Sequence, residues 1–363
     1  MKTIGIDARL YSQTGVGTYL RNLLVELEDL VNEYEINVYL IGQDFEKVTF
    51  KNSHFHRKLA DYHWHSLGEQ FGFYYQLRQD SPDLMHFTYF GYPILYRKPF
   101  IATVHDVTPL IYKTGKASTR NPLVYEFKYQ IFKQVLARQV ANATSLIVPS
   151  KYVKDELGRM YGQKIAKKTK VIYEGVNREL LTAIEKTGQA NRLDGPFFIY
   201  VGNFYPHKNI GRLIRAFQSV PPPYRLILIG PEDTFAAGLK KIINESGQDQ
   251  RILFRHNVDV GDLLYFYKHA LALIHPSISE GFGLPLVDAA HFGLPIIASD
   301  IPVFRELLGD RYVPFDPQSH ESIVSAIKLF LAQEKKYTAL PADETFSFKR
   351  MAKETLEVYK KAI

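Results

Sequence analysis

Short apolar runs alternate with amphipathic segments along nearly the whole of this chain, and that alternation leaves few folds open to it. The runs are Ile4–Ile6, Ile36–Ile41, Leu84–Phe87, Phe100–Val104, Leu146–Val148 and Val171–Tyr173, then Phe197–Val201, Arg225–Ile229, Ile252–Phe254, Ala272–His275 and Ile296–Ala298. Their residues are apolar consecutively rather than at every second position, as expected of parallel strands covered on both faces. The intervening segments, among them Thr18–Glu28, Leu123–Val140, Asn209–Phe217 and Glu321–Gln333, read as helices. Strand and helix in turn imply a doubly wound α/β architecture. A polar stretch, Glu174-Gly175-Val176-Asn177 through Gly195-Pro196, separates two sets of five or six strands. With 363 residues, and roughly 100–200 residues per domain, two Rossmann-like domains joined by a linker are expected.

Composition removes whole classes of chemistry. The chain has no Cys, so disulfides, thiolate metal sites and cysteine nucleophiles drop out, and a reducing compartment is favoured. No apolar run approaches the roughly 18–20 residues of a membrane span, and the N-terminus reads as a strand rather than a signal peptide. A soluble, cytoplasmic protein is expected. The formal charge is +7, unevenly spread: residues 1–50 hold 4 basic and 8 acidic side chains, residues 51–170 hold 19 basic and 8 acidic. This basic stretch, which includes the single Trp, suits a solvated face or one turned to an anionic lipid, nucleic acid or phosphorylated substrate.

Ligands of open parallel sheets bind beyond the carboxyl ends of the strands, so the residues following each run are the informative ones. After the first run, Thr14-Gly15-Val16-Gly17-Thr18 opens a helix, either as a plain capping loop or as a loop that lets backbone approach a ligand. A dinucleotide fingerprint fails here for want of a third Gly. The run ending at Val104 leads to His105-Asp106-Val107-Thr108-Pro109, where a His can orient a hydroxyl or stabilise charge. The run Phe197–Val201 leads to Gly202-Asn203-Phe204-Tyr205-Pro206-His207-Lys208-Asn209. Lys208 there has no acidic partner in the local sequence and sits near a helix's positive end, an arrangement suited to phosphate.

The most specific stretch is His275-Pro276-Ser277-Ile278-Ser279-Glu280-Gly281-Phe282-Gly283-Leu284-Pro285-Leu286-Val287-Asp288. Free N–H groups of Phe282, Gly283 and Leu284 would face a phosphate or sugar, Glu280 would bond sugar hydroxyls, and Asp288, in the first helical turn, would hold a ribose diol.

Glu280 and Asp288 with Gly-Phe-Gly-Leu-Pro between them resemble the E-x7-E signature of the retaining GT-B glycosyltransferases of family 4 (GT4). The resemblance runs nearly the length of the chain. Gly15 and Gly17 resemble the family's N-terminal glycine loop, His105 its active-site His, and Val201-Gly202 through Lys208-Asn209 its diphosphate segment. Val148-Pro149-Ser150 and Glu174-Gly175-Val176-Asn177 also fit its landmarks. Three positions depart from it: Asp288 replaces Glu, Asn203 stands where many members have Arg, and Phe254-Arg255-His256-Asn257-Val258 stands where members often carry Gly.

The resemblance implies a GT-B fold. Residues 1–176 would form the acceptor domain, completed by a returning helix over 346–363, and residues 177–345 the donor domain. It implies retaining transfer of a hexose from a nucleotide-sugar to a glycan or lipid-linked acceptor, in the cleft between the domains. GDP-mannose is the expected donor, with UDP- and dTDP-sugars as alternatives. His105, Glu280 and Lys208 would be catalytic. Gly15, Gly17, Gly202, Asn203, His207, Lys208, Phe254, Arg255, Asn257, Glu280, Gly281, Phe282, Gly283, Leu284 and Asp288 would bind the donor. Tyr11, Thr14 and Asp106 would fall on the acceptor side. No Asp-x-Asp triad occurs, so neither metal nor cofactor is expected, and no nucleic-acid partner. His54, His56, His63 and His65 read as an acceptor-side loop or, less simply, a metal site. A GT-B epimerase, a hydrolase or a degenerate nucleotide-sugar binder are the competing readings, and peripheral contact with an anionic membrane is an added expectation.

Overall fold

The computed structural model describes residues 1–112, 122–185, 195–246, 250–332 and 345–363. It divides into two compact units, Met1–Gly175 with Thr345–Ile363, and Val176–Glu344.

The first unit is built on seven parallel strands: β1 (Lys2–Asp7), β2 (Tyr34–Leu40), β3 (Phe55–Leu59), β4 (Leu84–Phe87), β5 (Phe100–Thr103), β6 (Ser145–Val148) and β7 (Thr169–Val171), in the order β3-β2-β1-β4-β5-β6-β7. Ile4 of β1 stands between Ile36 of β2 and Leu84 of β4. The second unit has six, also parallel: β8 (Phe197–Val201), β9 (Arg225–Ile229), β10 (Ile252–Arg255), β11 (Leu273–His275), β12 (Ile296–Ser299) and β13 (Val313–Phe315), in the order β10-β9-β8-β11-β12-β13. In both sheets the strand order reverses once, between β1 and β4 and between β8 and β11. These are the crevices where doubly wound sheets hold ligands.

Every apolar run forms a strand, although the one expected at Val171–Tyr173 lies two residues earlier, at β7. Two strands carry no such run. His56 and Arg57 are exposed on β3, one on each face, and β13 contains Pro314. Both are edge strands, where one side of the ladder faces away from the sheet and charge or Pro is tolerated. The expected count of five or six strands is therefore too low for the first sheet. The interdomain stretch, expected to be a plain polar linker, includes a short helix, Arg178–Thr182, capped by the Asn177 side chain accepting from Glu179 N; residues 186–194 lie outside the described residues.

The helix Phe348–Ala362 belongs to the first unit and packs against the helix Val16–Leu30. Its buried face is Phe348, Met351, Ala352, Thr355, Leu356, Val358 and Tyr359. Tyr359 reaches the sheet itself: its hydroxyl lies 2.8 Å from Nδ1 of His86, whose Nε2 lies 2.8 Å from Thr103 Oγ1. Burial holds His86 down at about 3, so this histidine is a neutral core residue with both ring nitrogens bonded. The chain leaves the unit at Gly175, where a Cβ would lie 2.3 Å from the Phe348 backbone nitrogen; no other residue allows so close an approach.

Candidate functional site

In the second unit the chemistry gathers at the crevice between β8 and β11. Beyond β8 the chain turns at Gly202 (φ 148°), forms a short 3₁₀ turn, Pro206–Lys208, passes through Asn209 in the left-handed region (φ 61°) and enters the helix Ile210–Phe217. Pro206 thus opens the 3₁₀ turn rather than the helix, and Lys208 stands two residues before the helix begins. The loop after β11 is laced to this turn: Ile278 N donates to His207 O at 2.8 Å, and Asn209 Nδ2 donates to Pro276 O at 3.1 Å.

Glu280 is brought against Lys208 by that lacing. Three donors converge on its Oε1: Lys208 Nζ at 2.6 Å, Ser277 Oγ at 2.7 Å and His275 Nε2 at 3.1 Å. Burial pushes this carboxyl up, but the Lys208 ammonium and the His275 bond outweigh it and hold it below the ordinary glutamate value. Lys208 therefore does have an acidic partner, contrary to the sequence expectation. The partner is 72 residues away because the crossover from β8 to its neighbour β11 spans two intervening strands.

Two histidines line the same place. The His275 ring is buried, stacked on Tyr200 at 5.5 Å and edge-on to Phe304, and burial lowers its pKa. His207 is lowered to about 4, by burial first and then by Lys208. Both are neutral at neutral pH, and the Nδ1 atom of each is buried without a hydrogen-bond partner among the described residues, as is Asn203 Oδ1.

The glycine loop departs from expectation in one respect. Gly283 (φ 132°) caps the helix Leu284–His291, which puts Asp288 at its fifth residue, in the second turn and not the first. Asp288 is buried and accepts from Asn177 N at 3.1 Å. Burial raises its pKa to about 7 against the opposing Asn177 bond. At the end of β10, Phe254 stacks on His256 at 5.5 Å, Arg255 donates to Phe254 O, and Asn257 adopts φ 53°. His256 Nδ1 lies 2.8 Å from Gly230 O.

The first unit carries a separate cluster. His105 follows β5; its Nε2 lies 2.9 Å from Thr88 O, its Nδ1 3.3 Å from Glu174 Oε1, and its ring meets Tyr19 edge-on at 4.7 Å. Both ring nitrogens face acceptors, and the ring is fixed in place by them. Asp106 accepts from Thr108 N and so shapes the following turn. Gly15 (φ 68°) caps the helix Val16–Leu30, Tyr11 O accepts from Arg21, and Thr14 is exposed. A Cβ on Gly17 would lie 2.5 Å from Tyr11 O, so this glycine permits the loop to fold back on the helix.

Sequence reasoning did not find the ion cluster beneath. Arg9 grips Asp7 with two donors (2.8 and 2.7 Å), reaches Glu69 Oε1 at 2.7 Å and Tyr62 O at 2.9 Å, and lies over the Phe73 ring. Asp7 ends β1 and Arg9 follows it, a visible signal; Glu69 has none, being an isolated acid in an aromatic stretch. The four clustered histidines are not one loop. His54 and His56 flank Phe55 on the β3 edge and share the Glu35 carboxylate (3.1 and 2.6 Å), while His65 packs on Phe132. Among the described residues no group of side chains is set to hold a metal ion.

Two family models match the chain: Glycosyltransferase Family 4 over residues 13–180 and Glycosyl transferases group 1 over residues 183–342. The O-antigen chain mannosyltransferase RfbU of Salmonella typhimurium is 32% identical over 226 residues, covering 62% of this chain and 59% of that one. The GDP-mannose:cellobiosyl-diphosphopolyprenol alpha-mannosyltransferase of Xanthomonas campestris is 28% identical, covering 59% and 52%. The chain thus spans between half and three fifths of the length of these two relatives. Among solved structures, sucrose-phosphate synthase from Thermosynechococcus elongatus superposes with a TM-score of 0.79 at 20% identity over 99% of both chains, a likeness of fold.

Proposed function

The chain belongs to the family 4, group 1 glycosyltransferases, and from that premise we propose that it transfers mannose from GDP-mannose to a glycan or lipid-linked acceptor, with retention and without a metal. The Lys208–Glu280 pair at the β8/β11 crevice carries this reading. A diphosphate entering the crevice competes with Glu280 for the ammonium, and once Lys208 turns to phosphate, Glu280 is released to accept sugar hydroxyls. As the glycosidic bond breaks, negative charge grows on the leaving diphosphate, and Lys208 stabilises it more in the transition state than in the bound donor. With a cation already in place, the site requires no metal to neutralise the leaving group. Asp288 serves the ribose, and His105, held by Thr88 and Glu174, serves the sugar near the reacting carbon. Mannose is supported by RfbU and the Xanthomonas enzyme, both mannosyltransferases.

The acceptor reading extends to a membrane face. Leu67, Phe71 and Tyr75, spaced four residues apart, are 76%, 63% and 63% exposed. Val124, Phe127 and Ile131 are exposed along the helix Pro122–Asn142. Together with the basic excess of residues 51–170 they suit a surface of anionic lipid.

Incubation with GDP-mannose, UDP-glucose or dTDP-rhamnose, each with and without EDTA, tests the reading. Release of GDP from GDP-mannose, undiminished by EDTA and stimulated by a mannose-terminated polyprenyl-diphosphate oligosaccharide, is expected. Release of UDP or dTDP instead would reassign the donor; turnover abolished by EDTA and restored by Mn²⁺ would overturn the metal-free mechanism. Free mannose as the sole product would make the protein a hydrolase.

A further inference from the structure

One cavity among the described residues has no part in the machinery above. It is an open-sided hollow of about 670 Å³ in the first unit, lined by Ile94, Leu95, Tyr96, Arg97, Lys98, Phe100, Arg138 and Asn142. Phe100 is the first residue of β5, and Asn142 ends the helix that precedes β6. The hollow thus lies at the amino-terminal edge of the sheet, whereas His105 lies beyond the opposite edge, five residues on from Phe100, or roughly 16 Å at about 3.3 Å per strand residue.

Its charge is one-sided: three cations and no carboxylate line it. Lys98 is already held by Ser81 and Pro82 oxygens. The two arginines are not so committed. Arg97 donates only to Ile94 O, within its own turn, and Arg138 makes no hydrogen bond or ion pair among the described residues. A cation near the end of a helix commonly serves the terminal carbonyls, but here Lys168 does that, donating to Ala141 O at 2.8 Å and Ala143 O at 2.6 Å. Arg138 is left over. Both guanidiniums act on one place, for each draws down the Tyr92 hydroxyl that burial otherwise raises. Asn142 Nδ2 is anchored to that same hydroxyl, while Leu95 and Ile94 supply an apolar wall beside the cations.

We propose that this hollow is a second anion site, in which Arg97 and Arg138 bind the phosphate group of a phosphorylated ligand. Two planar five-donor groups with no counter-ion match phosphate oxygens, which accept from several N–H groups at once. The apolar wall leaves room for a hydrocarbon attached to that phosphate. This assignment does not depend on the donor or the acceptor of the transfer reaction.

The test uses the full chain carrying Lys208→Ala, which removes the other phosphate-seeking cation, and compares it with the same chain carrying Arg97→Ala and Arg138→Ala as well. Both arginines are exposed, so an unchanged unfolding midpoint is expected and verifies that the fold is intact. Equilibrium dialysis with labelled pyrophosphate probes the free anion; flotation with phosphatidylcholine vesicles containing phosphatidic acid probes the same group on a lipid. Loss of both arginines should weaken at least one of the two interactions by roughly 10²-fold. Weakened pyrophosphate binding would identify a soluble phosphate as sufficient, and weakened vesicle binding alone a lipid headgroup. Equal binding by the two chains, or no binding of either probe, would overturn the proposal. Because nucleotide-sugar turnover is not a readout, failure here leaves the transferase reading standing, and failure of that reading leaves this one.

Discussion

Glu280 holds three donors on one oxygen, and that concentration decides what its replacement does. Glu280→Gln keeps an oxygen for Ser277 and His275 but withdraws the charge that pairs with Lys208. Lys208→Ala removes the cation proposed to stabilise the leaving group. Each is expected to lower kcat by roughly 10²–10³-fold, measured as GDP release under saturating donor; near-normal rates in both would dismiss the crevice as the reaction site. Asp288 makes a prediction about stability instead. Its carboxyl titrates near 3.8 when unfolded and near about 7 when folded, so between those values the folded state binds the extra proton. Stability from this group is therefore full below about pH 4 and declines as pH rises to about 7, by up to about 4 kcal/mol. Asp288→Asn retains an acceptor for Asn177 N and removes the titration. Urea unfolding across pH 4–8 should show the variant gaining on the parent as pH rises, and parallel curves would mean that the carboxyl is not desolvated as the structure has it.

At the scale of elements, the two glycines of the N-terminal loop do different work, and alanine separates them. Gly15 needs its backbone conformation (φ 68°, ψ −82°) but has open space around it, so Gly15→Ala should cost about 1–3 kcal/mol of backbone strain. Gly17 has an ordinary φ but no space, with Tyr11 O at 2.5 Å and Leu10 O at 3.1 Å from a Cβ. Gly17→Ala must move the loop, at about 1–3 kcal/mol. Denaturant titration of both variants checks the two costs, and a variant as stable as the parent would remove the reason assigned to its glycine. The glycines were visible in the sequence; their separate reasons were not, since one depends on a torsion and the other on a backbone oxygen six residues earlier. The same division holds elsewhere. Strands buried on both faces announce themselves as apolar runs, whereas β3 and β13 satisfy only one neighbour and can be built from charge and Pro. Residues just past strand ends, such as His105, Lys208 and Glu280, could be singled out because a parallel sheet presents its chemistry there. Their partners could not: Glu174 lies 69 positions from His105, and Glu280 lies 72 from Lys208, distances set by crossovers. The turn on which Asp288 falls depended on where Gly283 let the helix begin.

For the whole molecule, the C-terminal helix poses the sharpest question, because its residues are last in the chain yet belong to the first unit. Phe348, Met351, Leu356, Val358 and Tyr359 are each buried there, and each large apolar side chain contributes about 1.5–3 kcal/mol. Together that is on the order of 10 kcal/mol, as large as the whole stability of a typical domain, roughly 5–15 kcal/mol. Removing residues 345–363 would also strip His86 of its Tyr359 partner and leave a buried nitrogen unsatisfied. The first unit of the shortened chain should therefore unfold, while the second, whose six strands all lie within Val176–Glu344, should keep its structure. Amide hydrogen exchange resolves the two: protection of β1, β4 and β5 is expected to collapse while that of β8, β9 and β11 persists. Retained protection in β1 and β4 would mean that the sheet and its own crossover helices hold the unit without the returning helix. Protection lost equally from both sheets would mean that the two units fold as one cooperative body, in which case a substitution at Gly175, where the chain passes beneath Phe348, would be felt as strongly in the second unit as in its own.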